Sequence, residues 1–283
     1  MSGTSGAGEN GWSQAFITLE EALGFAVAGD TIRVAEGTYT PNDFNLTGDR
    51  AQTFLIPNRV VVKGGYKGED EVVSMQRDPA IFLTILSGDF EADDASFSFV
   101  REYLTDLSRT DNAFTVVTVL GVTRDNPGTR LEGFIIEGGN RGTYTGNDAT
   151  GYRGGGMLID DSAMDIVNCT FRFNAVGIPG SDNPNDNGVT SDGGGASVRG
   201  GQLMISGEVD YTRFINCTFH DNFAGRGGAL AVVDGSLNNV PAKVKVVNSL
   251  FYDNQVLEMS TAALKPDHVN DGFDRHPTEG QSP

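Results

Sequence analysis

The feature of this sequence that most constrains its fold is a nine-residue pattern that occurs three times in the second half of the chain. Each copy has two apolar residues, then Asn, then Phe three residues later and a second Asn three residues after that. The copies are residues 166–174, 214–222 and 246–254, so they start 48 and 32 residues apart. Repeats of roughly 20–50 residues that carry insertions of variable length are typical of solenoid proteins.

A second recurring module consists of glycine-rich runs that precede short apolar segments. Glycine accounts for 38 of the 283 residues, and the runs are Gly154–Gly156, Gly193–Gly195 and Gly227–Gly228. The loops between the modules differ greatly in length: residues 176–192 are long and rich in Asn and Asp, whereas residues 223–225 are minimal. Short strands separated by such distances stack in parallel, coil on coil. The sequence therefore predicts an all-β parallel β-helix solenoid.

Stacking makes a further prediction about columns of equivalent residues. Residues in successive coils lie ~4.8 Å apart, so each column has to tolerate its own copies. The predicted structural ladder consists of Asn168, Asn216, Asn248, Phe171, Phe219 and Phe251. We expect the asparagines in a left-handed turn, which Asn tolerates, and the phenylalanines stacked in the core. The predicted charged columns, in which neighbouring charges alternate in sign, are Arg153, Asp192 and Arg226, and Asp160, Arg199 and Val232.

The chain divides into three segments on this prediction. Residues 12–40 hold an N-terminal capping helix and a first strand, because Thr18 and Glu21 have the spacing of a capping box. Residues 41–255 form the β-helix with its loop insertions. Residues 256–283 are a C-terminal segment with a polar tail. At that end we expect either a continuation of the native chain or self-association, with residues 256–264 folding over the last coil as the alternative.

Charge and composition exclude several classes of partner. The chain has 20 Lys and Arg against 38 Asp and Glu residues, a net charge of −18. Such a surface repels nucleic acid, which needs clustered basic residues. No stretch approaches the ~20 apolar residues of a membrane helix, so no membrane span is expected. The two cysteines, Cys169 and Cys217, are too few for a disulfide framework and read as buried thiols.

Several segments together resemble a known group of proteins. In the first half these are residues 28–32, 36–39, 64–68, 76–79 and 84–89, followed by 133–140. With the repeats described above they are similar to the right-handed parallel β-helix proteins of the pectate-lyase-like superfamily. The repeats resemble those of polymorphic outer-membrane proteins, and the first half resembles secreted bacterial surface proteins. The resemblance implies a right-handed coil and export, so the expected location is extracellular or on the cell surface.

The same resemblance suggests where catalysis would lie if the protein were an enzyme. Pectate lyases imply a calcium-bound acidic cluster with a basic residue on the outer face of one sheet. The comparable face here carries Asp160 and Arg199. The interpretation we favour is that these two residues simply pair across adjacent coils.

Calcium has two further candidate sites in the sequence. The first is Asp182, Asp186 and Asn187, in a run that resembles half of an EF-hand loop but lacks the bidentate Glu. The second is the acidic group Asp89, Glu91, Asp93 and Asp94. Asn, Asp and Gly runs are usually solvated turns, so no cofactor is required and Ca²⁺ is the one candidate.

Two functions from different classes remain open. The first is a non-catalytic extracellular domain, a surface adhesin or carbohydrate-contacting module, whose ligand would be a polysaccharide or surface glycan. Its loops would carry recognition, and Tyr144 and Tyr152 in one of them could stack on sugar rings. The second is a calcium-dependent polysaccharide lyase or glycoside hydrolase that acts on the outer face of one sheet.

Overall fold

The computed structural model consists mostly of short β strands, with little helix. It describes residues 12–42, 48–68, 76–96, 102–103, 106–125, 128–141, 152–177, 191–202, 207, 209–233 and 240–256. The helical elements are α1 (Leu19–Phe25) and two 3₁₀ turns, Trp12–Gln14 and Leu107–Arg109. The strands are β1 (Thr31–Ala35), β2 (Gly37–Tyr39), β3 (Phe54–Leu55), β4 (Val61–Tyr66), β5 (Thr84–Ser87), β6 (Val117–Leu120), β7 (Arg130–Glu132), β8 (Ile135–Glu137), β9 (Tyr152–Arg153), β10 (Met157–Asp160), β11 (Asp165–Val167), β12 (Thr170–Arg172), β13 (Ser191–Asp192), β14 (Ala196–Arg199), β15 (Thr212–Ile215), β16 (Thr218–His220), β17 (Phe223–Ala224), β18 (Leu230–Val233), β19 (Val244–Val247), β20 (Leu250–Tyr252) and β21 (Gln255–Val256).

The strands form three main sheets, and every pairing between them is parallel. Sheet A has the order β1-β4-β7-β11-β15-β19, sheet B the order β2-β5-β8-β12-β16-β20, and sheet C the order β3-β6-β10-β14-β18. Two small sheets pair β9 with β13 and β17 with β21. The chain visits A, B and C in turn, and each visit adds the next strand of that sheet. This architecture is consistent with a parallel β-helix and confirms the prediction of an all-parallel β fold.

The repeated phenylalanines lie in one column of sheet B. Phe171 pairs in register with Phe219, which pairs with Phe251. The ring centroids are 4.6 and 4.8 Å apart and the planes differ by only 4°. Phe171 and Phe219 are fully buried, whereas Phe251 is 40% exposed because β20 is the outermost described strand of the sheet. The expectation of a core position therefore does not hold for Phe251.

The first asparagine of each repeat occupies the turn between sheets A and B. Asn168, Asn216 and Asn248 have φ values of 51°, 53° and 48°, in the left-handed region. The side chain of Asn248 donates from Nδ2 to Oδ1 of Asn216 over 2.7 Å. The side chains lie on the outside of the turn, where all three are exposed. The residues that follow them, Cys169 and Cys217, point inward and are buried.

The second asparagines of the repeats, Asn174, Asn222 and Asn254, form another column, which is buried at its first two positions and which the ladder prediction did not include. Asn222 Nδ2 donates to the carbonyl oxygens of Phe171 and His220, and also to Oδ1 of Asn254 at 2.8 Å. Asn174 repeats the arrangement one coil earlier and donates to Oδ1 of Asn222 at 3.0 Å. Asn174 and Asn222 have no exposed surface. These amides replace the backbone hydrogen bonds that are lost where the chain leaves sheet B.

Helix α1 packs against the first strands of the stack. Thr18 precedes it as N-cap, and its Oγ1 accepts a hydrogen bond from the backbone N–H of Glu21 at 3.3 Å. Leu19 and Leu23 lie on one side of the helix and are buried in the hydrophobic core. The core runs through the centre of the stack from these leucines to Phe219.

The charged columns follow the predicted register with one correction. Arg199 in β14 pairs with Val233 in β18, not with Val232. The column of Arg153, Asp192 and Arg226 is as expected. The buried carboxylate of Asp192 accepts hydrogen bonds from Nε of Arg153 at 3.4 Å and from Nε of Arg226 at 2.7 Å. Its two neighbours belong to the preceding and the following coil.

Candidate functional site

Asp160 and Arg199, the residues offered for catalysis, form a direct ion pair. They occupy the same register position of β10 and β14. Arg199 Nε donates to Asp160 Oδ1 at 2.9 Å, and Nη2 donates to Oδ2, so the pair is bidentate. Both residues are buried, at 7% and 9% exposure. The guanidinium binds both oxygens of the carboxylate, so the geometry matches the pairing that the sequence analysis favoured.

Other charges of the described strands are paired in the same way. The carboxylate of Asp165 in β11 accepts hydrogen bonds from Nε of Arg213 at 2.6 Å and from Nη2 of Arg130 at 3.3 Å. Arg172 donates from Nε to Glu137 at 2.5 Å, across the β8–β12 pair. Each of these contacts joins neighbouring coils, so opposite charges stabilise the stacking of one strand on the next.

Most of the remaining predicted site residues lie outside the part of the chain that the structure describes. Tyr144, Asp182, Asp186 and Asn187 belong to this group. Tyr152 is placed only through its backbone, which pairs with Ser191 between β9 and β13. The carbohydrate-stacking and EF-hand-like predictions therefore stay predictions.

The second acidic group forms a cluster, although its membership differs from the sequence prediction. Carboxylate oxygens of Asp89, Asp93 and Asp111 lie within 4.8 Å of one another. Asp111 was not predicted, because it is 18 residues beyond Asp93 in the chain. Glu91 and Asp94 are neighbours of this group in sequence but not members of it. Carboxylate oxygens at this spacing are the ligands that Ca²⁺ prefers, so we call Asp89, Asp93 and Asp111 the acidic cluster and treat it as the candidate cation site.

Hydrogen bonds to the backbone hold the acidic cluster in place. Oδ2 of Asp111 accepts from the backbone N–H groups of Phe90 and Glu91 at 3.0 and 2.9 Å. The carboxylate of Asp89 accepts from the N–H groups of Asp93 and Asp94 at 3.3 and 3.1 Å. Desolvation, together with the neighbouring charges of Asp111 and Asp89, raises the pKa of Asp93. A bound cation would be favoured because it relieves the repulsion among these three carboxylates.

A buried arginine links the excursion of the chain between β5 and β6, which carries the acidic cluster, to the body of the protein. Arg109 is 1% exposed, and its Nη2 donates to the carbonyl oxygens of Gly139 and Phe173 at 3.2 and 3.0 Å. Its Nη1 lies 3.2 Å from Oδ2 of Asp94. Burial raises the pKa of Asp94 to about 6, since desolvation outweighs the attraction of Arg109. Burial likewise lowers the pKa of Arg109.

The two thiols are unsuited to nucleophilic chemistry. Cys169 and Cys217 are free and buried. Burial raises the pKa of Cys217 to about 11 and raises that of Cys169 further. Thiolate is the reactive form, so both residues act as small core side chains.

Comparison with known proteins adds no family to these observations. The chain matches no protein-family model, no curated protein and no solved structure. Within the described residues, no helix has both the length and the apolar character needed to cross a bilayer.

Proposed function

We propose that this chain is a right-handed parallel β-helix of the pectate-lyase-like kind and acts as a non-catalytic extracellular or cell-surface domain that contacts polysaccharide or surface glycan. The observation that supports the proposal is the buried ion pair between Asp160 and Arg199. These are the side chains that would be needed for chemistry on sheet C, and they bind each other in a bidentate pair. The stack is thereby built as a rigid scaffold, and recognition falls to its loops.

Two of those loops leave and re-enter the stack side by side. Asn140 and Ala175, which precede residues 142–151 and 178–190, form a parallel bridge. The strands that follow the two loops, β9 and β13, are also paired. Both ends of the loops therefore lie on neighbouring coils, as expected for one shared contact surface. Tyr144 falls in the first loop and Tyr152 at its end, where aromatic rings could stack on sugars.

Glycan binding is tested by an array of surface glycans and polysaccharides probed with the full chain. The double variant Tyr144→Ala/Tyr152→Ala is expected to weaken binding at least tenfold. Tyr211→Ala is the matched control, because Tyr211 is 41% exposed and precedes β15, away from these loops. Equal loss in both variants, or no glycan retained by the wild type, would refute the glycan proposal.

The enzymatic alternative is separated from this proposal by an exchange of charges. A screen for unsaturated or reducing ends is run on the wild type, Asp160→Ala and the double variant Asp160→Arg/Arg199→Asp. The exchange preserves an opposite-charge pair while destroying any catalytic arrangement. We expect no turnover by any of the three. Turnover by the wild type that disappears in the folded exchange variant would establish the lyase or hydrolase instead.

A further inference from the structure

The outer face of sheet A has an excess of positive charge. Its six strands carry five basic and two acidic residues, a net charge of +3, in a chain whose total is −18. The strands of sheets B and C each carry one basic and one acidic residue, so their net charge is zero. We call the five basic residues of sheet A the basic strip: Arg33, Lys63, Arg130, Arg213 and Lys245.

The side chains of the basic strip point away from the core. Residues alternate between the two faces of a strand, and the inward neighbours of the strip in the four middle strands are fully buried. These neighbours are Val62, Leu131, Ile166 and Phe214. Arg33 and Lys245 are exposed, and Lys63 is half-buried. The side chains of Arg130 and Arg213 are 40% and 32% exposed, so the strip is accessible to a ligand.

Two pairs within the basic strip break the alternation of charges that the rest of the stack follows. Arg33 lies opposite Lys63 in the β1–β4 pair, and Arg213 lies opposite Lys245 in the β15–β19 pair. Like charges directly opposite each other destabilise a sheet. An arrangement that costs stability while the surrounding structure obeys the rule is expected where a surface has a function.

The lysines of these two pairs have no counter-ion among the residues that the structure describes. Glu132 lies opposite Lys63 in the β4–β7 pair. Its carboxylate forms ion pairs with Arg77 and Arg130 instead, at 2.8 and 3.6 Å. Asp165 likewise forms its ion pairs with two arginines of the basic strip. A negative group from outside the described residues would therefore relieve both like-charge pairs.

The basic strip runs along the axis of the stack, across the strands. Strands lie ~4.8 Å apart, so six of them give the strip a length of about 24 Å. Its members lie on the first, second, third, fifth and sixth strands, so neighbouring cations are about 5 to 10 Å apart along the axis. A linear polysaccharide with an acidic group on every sugar or every second sugar presents charges at a comparable spacing. Duplex DNA, with one charge per ~1.7 Å, brings many more charges against the acidic surroundings.

We propose that the basic strip binds an acidic polysaccharide along the axis of the stack, with carboxylate or sulfate groups next to the two like-charge pairs. Charges farther away than about 8 Å are largely screened at physiological ionic strength, so the ligand responds to the strip more than to the total charge of −18. This inference rests on the proposed contact with polysaccharide, and it adds the chemical class of the ligand and a contact surface on sheet A.

Three polymers of equal chain length test the class of ligand: dextran sulfate, carboxymethyl dextran and uncharged dextran. Binding to the full chain is measured by calorimetry at low and at physiological ionic strength. We expect one or both charged polymers to bind, more weakly at the higher ionic strength, and the uncharged dextran not to bind. The charged polymer that binds more tightly identifies sulfate or carboxylate as the group recognised.

A pair of double variants tests the place of binding. Lys63→Gln/Lys245→Gln removes two charges of the strip without breaking an ion pair between described residues, and should weaken binding at least tenfold. Arg172→Gln/Arg226→Gln is the control, since it gives the same net charge by changes outside sheet A, and should bind within about twofold of the wild type. Both lysines lie opposite another cation, so their replacement should not lower the melting temperature, which circular dichroism records.

Four results would overturn the proposal. Unchanged binding by the lysine variant, or equal weakening in both variants, would show that the basic strip is not the site. Binding of a short DNA duplex as tightly as the charged dextrans would contradict the assignment to polysaccharide. Binding of uncharged glycans on the array but of neither charged dextran would refute the strip and leave the proposed function in place. Failure to bind any glycan, charged or uncharged, would refute both.

Discussion

At the scale of single residues, the two asparagines of each repeat have different tasks. Asn216 is exposed and serves the backbone, because its φ of 53° is one that most residues avoid. Asn222 is fully buried, and its Nδ2 donates hydrogen bonds to two backbone carbonyl oxygens and to the side-chain oxygen of Asn254. Both asparagines occur in every copy of the repeat, yet we expect the buried one to contribute more to the free energy of unfolding.

Replacing the buried amide should therefore cost much more than replacing the exposed one. Asn222→Ala leaves the carbonyl groups of Phe171 and His220 without their donor and opens a cavity, so we expect a loss of about 3 kcal/mol in the free energy of unfolding. Asn216→Ala is the control, with an expected loss of about 1 kcal/mol from backbone strain. Urea unfolding followed by circular dichroism measures both. A loss for Asn216→Ala equal to or above that for Asn222→Ala would contradict the assignment.

Asp94 should impose a pH dependence on stability. Its pKa is about 6 in the folded protein and 3.8 when unperturbed, so the folded state binds its proton more tightly. The contribution of this group is fully present below about pH 4 and is lost as the pH rises through 6. Comparison of unfolding free energies at pH 4 to 7 should show this decline in the wild type and in Glu91→Gln, but a shallower one in Asp94→Asn. An unchanged slope in Asp94→Asn would assign the decline to other groups.

At the scale of elements, the excursion between β5 and β6 is the part of the described chain best suited to respond to a cation. Its acidic cluster is held by backbone N–H groups, and Arg109 anchors it to Gly139 and Phe173. The cluster combines carboxylates from both ends of the excursion. A cation there would join these ends in the same way as a crosslink.

Calcium is accordingly predicted to bind the acidic cluster and raise the melting temperature. Oxygen ligands of this kind in extracellular modules bind Ca²⁺ with dissociation constants of about 0.1–1 mM. Asp93→Asn should abolish both the calorimetric binding signal and the shift in melting temperature, whereas Asp78→Asn, which changes an exposed acid outside the cluster, should retain them. Absence of binding to the wild type, or a shift that survives in Asp93→Asn, would reject the prediction.

The strands and their stacking could be predicted from sequence where the repeats are close to identical. Phe171 and Phe219 were aligned correctly because a core column of fixed size selects the same residue in each coil. The acidic cluster was found only in part, because Asp111 comes from the far end of a long excursion and no periodicity connects it to Asp89. The one-residue error at Val232 arose where the strand β18 offers two valines in succession.

At the scale of the whole molecule, the first half of the chain, which has no clear sequence repeat, and the repetitive second half both add strands to the same three parallel sheets in sequence order. The first strands of sheet A, β1 and β4, pair in parallel, and their register shifts by one residue at a bulge between Arg33 and Ala35. Their sequences share no obvious repeat, since apolar residues at alternate positions satisfy a parallel core without identity. Opposite charges pair from coil to coil in several columns, while the chain as a whole keeps a net charge of −18.

The measurement that tests this architecture most directly is the distance between spin labels at Thr31 and Lys245. Both positions are exposed, and successive pairings connect them through Val61, Arg130, Asp165 and Arg213. Five strand spacings place the two Cα atoms about 24 Å apart, so pulsed electron resonance should give one narrow distribution near that value once the label tethers are included. A broad distribution, or a separation beyond about 40 Å, would contradict a single parallel stack in sequence order.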